Sequence, residues 1–152
     1  MVQPSLDATE VLCYTLGTQS VASLMSDIVA LQHRPDYIAA VPGTQPWMLG
    51  IADIAGGLLP IVDLPLFLGL SAVTEGSSQL LVVQLEDLHM GLLVNRVLGH
   101  PEATLQSADR DVPELFQPYV RCALSVEQSK MTWPIFDLAA VAADPRLQTV
   151  CV

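Results

Sequence analysis

Charge is scarce in this chain. Asp, Glu, Lys and Arg make up 14% of it, against roughly 25% in an ordinary soluble domain. What charge there is leans one way: 6 basic residues stand against 16 acidic ones, for a net charge of −10. Nucleic acid and anionic membrane surfaces both recruit basic patches, so neither is expected as a partner. No Lys or Arg lies between Arg34 and Arg96, whereas Asp36, Asp53, Asp63, Glu75, Glu86 and Asp87 all do. The first half thus presents an acidic and apolar surface, suited to an apolar or basic partner.

Cysteine is sparse too. Cys13, Cys122 and Cys151 are odd in number and lack C-x-x-C spacing, which argues against a disulfide framework or a zinc site and for reduced thiols. Cys13 falls in a strand pattern and reads as a core residue. Although 51% of the residues are hydrophobic, no unbroken apolar run reaches the roughly 18 residues of a membrane span. Pro42, Gly43, Gln45 and Pro46 interrupt the longest candidate, between Asp36 and Asp53. The opening MVQPSLDATE has no basic n-region and no apolar h-region. A soluble, cytoplasmic protein without direct membrane insertion is expected. Phosphate-cradling G-x-x-x-x-G-K-[ST] and G-x-G-x-x-G motifs and the nucleophile elbow G-x-S-x-G are missing. His33, His89 and His100 stand in turn or loop positions with no second ligand at metal spacing, so no metal and no cofactor is expected. Aromatics, at 5%, are too few for a groove that binds Pro-rich peptides.

What the chain does have is a repeat. PIVDL occupies residues 60–64 and PIFDL residues 134–138. Shifted by 69 positions, residues 11–29 lie on residues 80–98 without a gap: Leu12 on Leu81, Leu16 on Leu85, Leu24 on Leu93, Ile28 on Val97. Both segments read as strand, polar turn (GTQS, EDLH), strand. Each half therefore runs hairpin, intervening segment, then a P-I-x-D-L strand, as two copies of one supersecondary unit do.

Between these landmarks the pattern is of short strands. Residues 34–47 are loop-rich; Gly50 and the pair Gly56-Gly57 punctuate the approach to a strand at 58–64, with a positive-φ turn expected at the pair. PLFLGL (65–70) suits one helical turn, and SAVTEGSSQ (71–79) is the natural seam. Residues 101–118, rich in proline and acid, predict a long solvated loop. Two strands around EQSK follow, then a short helix in LAAVAADPRL stopped at Asp144-Pro145. About ten strands with closely spaced turn signals predict an all-β barrel or sandwich, and the duplication predicts two small barrels.

Asp63 and Asp137 are the most suggestive chemical groups, because the repeat makes them equivalent. A hydrolase with paired carboxylates would need them in one cleft with separated pKa values. The alternative is that each caps the turn after its own strand. The second reading is favoured, and no enzyme is expected.

The stretch WMLGIADIAGGLLPIVDLPLFLG (47–69) resembles the signature of CheW-like domains, in which a Gly, a short strand, an R-G step and a P-[IV]-[IV]-D-L strand follow in order. LCYTLGTQSVASLMSDIVAL is similar to that family's first hairpin, and GLLVNRVLG (91–99) to its second-half G-[IL]-x-V-D-x-V. The resemblance covers residues 10–143 and implies two SH3-like five-stranded β-barrel subdomains with minor short helices. Subdomain 1 is expected at about 18–75, and subdomain 2 at about 10–17 plus 79–143, with tails at 1–9 and 144–152. It implies an adaptor between the cytoplasmic tip of a methyl-accepting chemoreceptor and the regulatory domain of a CheA-type histidine kinase, recruited to membrane-bound arrays. The wording is most similar to coupling proteins of type IV pilus (twitching) systems. By the same resemblance Ile28, Leu31, Gly50, Asp53, Ala55, Gly56, Val97 and Leu98 form the partner-binding surface, Val97 and Leu98 near the groove between subdomains. Two departures stand out. Ala55 replaces the family's Arg before Gly56, and Asn95 replaces an Asp, which leaves open an accessory member with one weakened partner arm.

Overall fold

In the computed structural model the described residues are 11–73, 78–85, 88–99, 105–108, 119–126 and 132–150. The chain opens with a hairpin, β1 (Val11–Leu16) and β2 (Gln19–Leu24), and a 3-10 turn (Met25–Asp27) leads to β3 (Ile28–His33). A second hairpin, β4 (Met48–Ile54) and β5 (Gly57–Asp63), runs into the single-turn helix α1 (Leu64–Phe67). Then come β6 (Gln79–Leu85), β7 (Leu88–Val94), β8 (Arg96–Gly99), β9 (Leu105–Ala108), β10 (Val120–Val126) and β11 (Thr132–Phe136). Helices α2 (Leu138–Ala142) and α3 (Pro145–Val150) follow.

These strands form two sheets, one in the order β3-β6-β7-β5-β4 and one in the order β8-β1-β2-β11-β10-β9. The duplication is visible strand for strand. The shift of 69 carries β1 onto β6, β2 onto β7 and β3 onto β8, and the P-I-x-D-L strands β5 and β11 each pair in parallel with the second strand of a hairpin. Sheet order then matches at five positions, and β9 is an addition on one edge.

The third strand of each unit crosses over. β3 leaves its own hairpin to pair with β6, and β8 pairs with β1. This corrects the expected partition: β2 lies with β1 and not with β3, while β6 and β7 lie with β3, β4 and β5. Each sheet takes strands from both halves, because a hairpin satisfies only one side of each strand and its outer edge must find partners elsewhere.

Two cores result. β6 and β7 are buried on both faces, and the period of two sends alternate residues to opposite sides. Leu81, Val83, Leu92 and Val94 join Leu12, Tyr14, Leu16, Val21, Phe67 and Phe136 in the larger core between the sheets. Leu80, Val82 and Leu93 face a smaller core with Ala52, Ile54, Leu59 and Ile61. Strands with two apolar faces account for much of the hydrophobic excess. A chain of aromatics runs along the larger core: Trp47 meets Phe67 edge-on at 5.0 Å, Phe67 lies 6.2 Å from Tyr119, and Tyr119 5.6 Å from Phe136. Ser23 Oγ donates to the Phe136 carbonyl (2.8 Å) and meets the Tyr14 hydroxyl (2.7 Å), so the polar atoms in this core are satisfied.

Three local expectations change. β9 pairs with β10 inside the stretch expected to be loop. His89 lies within β7 opposite Gln84, exposed but not in a turn. Pro145 ends nothing by itself: α2 stops at Ala142, and Pro145 opens α3, where its missing N–H is not needed.

Candidate partner-binding surface

The β4–β5 register pairs Ile54 with Gly57, which leaves Ala55 and Gly56 as a two-residue turn. Both have positive φ, 53° and 86°. That combination is the type I′ geometry whose twist matches the flanking strands. Gly56 adopts it freely; Ala55 does so at a cost of roughly 1–2 kcal/mol, because its Cβ crowds the following carbonyl. Asp53 offsets part of this, since its Oδ1 accepts the Gly56 N–H at 3.0 Å. Asp53, Ala55 and Gly56 are all exposed. So is Leu58, at 74%, directly across from Asp53. The hairpin tip is thus an outward surface of one acid and apolar groups, without a cation in its own sequence neighbourhood.

Gly50 does not belong to that surface. It is buried, with φ 145°, and any Cβ there would overlap the Ala39 carbonyl. Its role is to let residues 35–47 cross β4 closely enough for Ala39 and Ile51 to exchange two backbone hydrogen bonds of 2.9 Å.

Ile28 and Val97, equivalent under the repeat, are both half-buried against the larger core. Their outward neighbours differ in exposure from them: Leu31 is 45% exposed and Leu98 44%. Val97 N–H donates to Gln79 Oε1 at 2.7 Å, which ties β8 of one sheet to β6 of the other. Ile28 and Leu31 sit on β3, the edge of the five-stranded sheet opposite to β4 in strand order, while Val97 and Leu98 sit on β8, an edge of the other sheet. The eight residues therefore stand on three elements, β3, β8 and the β4–β5 hairpin, with Gly50 buried. Asn95, the second departure, accepts the Gly17 N–H at 2.6 Å and closes the β1–β2 turn, a bond that needs only a side-chain oxygen.

Asp63 and Asp137 are helix caps. Asp63 Oδ1 accepts the Leu66 N–H (3.1 Å) and Oδ2 the Val73 N–H (3.0 Å). Burial pushes its pKa up, and those two donors and the charge of Arg34 offset this only in part. Asp137 Oδ1 accepts the Ala139 N–H (3.0 Å) at the start of α2. Each carboxylate stands at the end of a strand in a different sheet and caps its own helix. Burial pushes the Cys13 thiol up to about 11, as befits a core residue. Among the described residues no group of His, Cys, Asp and Glu is placed to hold a metal, and no helix is long and apolar enough to cross a membrane.

Sequence reasoning overlooked Leu58 and Val29, which is 58% exposed. The signals were present. Leu58 is the first strand residue after the Gly pair, and the shift of 69 places Val29 on Leu98.

A family model described as CheW-like domain matches residues 10–146. Protein PilI of Pseudomonas aeruginosa is 31% identical over 134 residues, covering 85% of this chain and 72% of PilI. Chemotaxis protein CheW of Thermotoga maritima is 30% identical over 95 residues, 62% of each chain. The crystal structure of the scaffolding protein TtCheW from Thermoanaerobacter tengcongensis shares the fold: TM-score 0.70, 16% identity, covering 93% of this chain and 96% of that one.

Proposed function

The chain belongs to the CheW-like domain family, and on that premise we propose that it is a non-catalytic adaptor in a bacterial chemosensory array. It joins the cytoplasmic tip of a methyl-accepting chemoreceptor to the regulatory domain of a CheA-type histidine kinase, in the cytoplasm at receptor arrays. Similarity to PilI over 85% of the chain supports a pathway that controls type IV pili.

One observation carries the adaptor reading. A coupling protein needs more than one exposed apolar surface, and Leu31 on β3, Leu58 at the β4–β5 tip and Leu98 on β8 stand exposed on three different elements. Each patch is small, so each interface belongs to the weak modular class, below about 1,200 Å² and of roughly micromolar affinity. The test is calorimetric titration against a kinase regulatory domain and, separately, a receptor tip. Micromolar binding to both supports the adaptor; no heat with either overturns it.

Ala55 favours a second reading, an accessory member with one weakened arm. An Arg there would add a charge-assisted hydrogen bond to a partner carboxylate, worth about 1.5–3 kcal/mol. Because position 55 is exposed and already in the left-handed region, Ala55→Arg adds reach without new backbone strain. Tighter binding to a generic family partner, with no gain for the protein's own, supports this reading. Equal affinities before and after place position 55 outside the interface.

A further inference from the structure

Ile51 and Ala123 are equivalent in the two units, since each lies opposite the proline of a P-I-x-D-L strand, Pro60 and Pro134. On the other side Ile51 pairs with Ala39 and Ala123 with Ala108, and the shift of 69 relates Ala39 to Ala108 as well. In the second unit the pairing runs on through all of β9: Ser107 with Leu124, Gln106 with Ser125, Leu105 with Val126. In the first it stops at the single Ala39–Ile51 bridge. The register for continuing is nevertheless set, with Ile38 due opposite Ala52, Tyr37 opposite Asp53 and Asp36 opposite Ile54. Ile51 gives both backbone groups to Ala39. In an antiparallel strand the residue two further on turns its groups the same way, so those of Asp53 also face away from β5. Tyr37, due opposite them, is 78% exposed instead.

We propose that residues 36–38 are a strap poised to close on β4 as a sixth strand of the five-stranded sheet, and that the charge of Asp36 is the latch that holds it open. Residues opposite one another in an antiparallel pair share a face, and successive residues alternate faces. Ile38, due opposite the buried Ala52, already packs against the smaller core. Tyr37 belongs on the outer face with the exposed Asp53. Asp36 is due opposite Ile54, which is 8% exposed and part of that same core. Closure therefore turns a carboxylate toward an apolar interior, which costs more than two backbone hydrogen bonds at a sheet edge return. Asp36 stays in water, and the strap holds on through Ala39 alone. The second unit carries Leu105 at this place, and there the strand is closed. Once the charge is neutralised, Tyr37 and Asp53 exchange their two backbone bonds, and Tyr37 comes to lie beside Asp53 and Leu58 at the root of the hairpin tip. Pro35, due opposite Ala55 and without an N–H, ends the zipper. None of this rests on the adaptor reading, because it concerns the chain alone.

Amide hydrogen exchange on the full chain, read residue by residue by NMR, tests the proposal. In the wild type the Ile51 amide is expected to be protected and the Asp53 amide to exchange fast. Asp36→Leu slows the Asp53 amide at least about tenfold, and Asp36→Asn slows it by less, since Asn removes the charge but still turns a polar group toward the core. Neither substitution alters the sequence neighbours of Asp53, so its intrinsic rate is unchanged. Tyr37→Pro in the Asp36→Leu background removes an N–H that closure needs and returns Asp53 to the wild-type rate. Positions 36 and 37 are exposed, and a protected Ile51 amide in each variant shows that the anchoring bridge is intact. A wild type whose Asp53 amide is already as protected as that of Ile51 overturns the proposal. So does an Asp36→Leu chain in which Ile51 stays protected while Asp53 keeps its wild-type rate. Slowing that survives Tyr37→Pro overturns the assignment of the partner strand to the strap.

Discussion

Asp63 and Asp137 each close a strand and open a helix, yet only the first is sealed from water. The shared part is close: the Asp63 N–H bonds the Trp47 carbonyl at 2.8 Å and the Asp137 N–H the Tyr119 carbonyl at 2.6 Å. Each carboxylate then caps the next turn. Beyond that point the halves diverge. Asp63 is 2% exposed, and its second oxygen holds the Val73 N–H at the head of the linker. Asp137 is half-buried, and the chain after it bends through Asp144 into α3. From there Arg146 reaches back to the first half, with its guanidinium 4.1 Å from the centre of the Phe67 ring and hydrogen bonds to the Tyr119 hydroxyl and Asp144 (both 3.2 Å). The strand-closing cap is local and self-sufficient, so it recurs in both units. What fastens each unit to its surroundings is different: a buried carboxylate in one, an exposed cation in the other.

The sharpest way to break this comparison is to remove both caps. Asp63→Ala leaves two N–H groups without their acceptor in a dry site and is expected to cost about 2–4 kcal/mol. Asp137→Ala loses one cap, for about 1 kcal/mol. Urea unfolding measures both, and equal losses would mean that burial does not distinguish the two sites. Arg146→Ala comes next, at about 1 kcal/mol for the lost stacking and hydrogen bonds, discounted because half of the side chain is solvated; a loss that vanishes in high salt would assign the clasp to charge alone. Ala55→Gly is expected to stabilise by about 0.5–1 kcal/mol, since glycine relieves the left-handed strain at the hairpin tip. No gain there would show that the turn relaxes around Ala55.

Acid titration sharpens the same contrast. Asp63 has its folded pKa raised, so its contribution to stability is complete below the ordinary carboxylate value of 3.8 and is lost as pH rises through the raised value. Asp144 runs the other way. Burial pushes its pKa up, but the side-chain and backbone donors of Arg146, with the Tyr119 hydroxyl, outweigh that and leave it lowered. Its contribution is present above 3.8 and is lost as pH falls through the lowered value. Asp63→Asn should therefore flatten the decline above pH 3.8, and Asp144→Asn the decline below it. Unfolding free energies at a series of acid pH values would reveal identical profiles if neither group titrates as described.

Much of this architecture was legible in the chain. Both hairpins and the strand–cap–helix phrase follow from period-two apolar patterning and from residues whose backbone preferences are local, whereas the turn expected at Gly56-Gly57 falls one residue earlier, at Ala55-Gly56. Sheet membership was not legible: hydrophobic alternation says that β3 needs a partner, not which strand supplies it. β9 was hidden because its four residues stand in a stretch dense in proline and acid. At the candidate surface, Asp53, Ala55 and Leu98 are exposed. Gly50 was misread because an exposed turn and a close backbone crossing demand the same residue, and only the position of Ala39 separates the two.

The crossing of β3 and β8 also governs how the chain can be made. As synthesis proceeds from the amino terminus, the first hairpin emerges long before β8 and β11, which flank it in the finished sheet. β3 likewise waits for β6. Pairings between such distant segments must close long loops before they are rewarded, which slows folding. A nascent chain released at the linker has neither sheet complete and exposes the apolar faces of both cores. The duplication thus yields two look-alike units that interleave, and the first hairpin's two outer sides are closed only when β8 and β11 have been made.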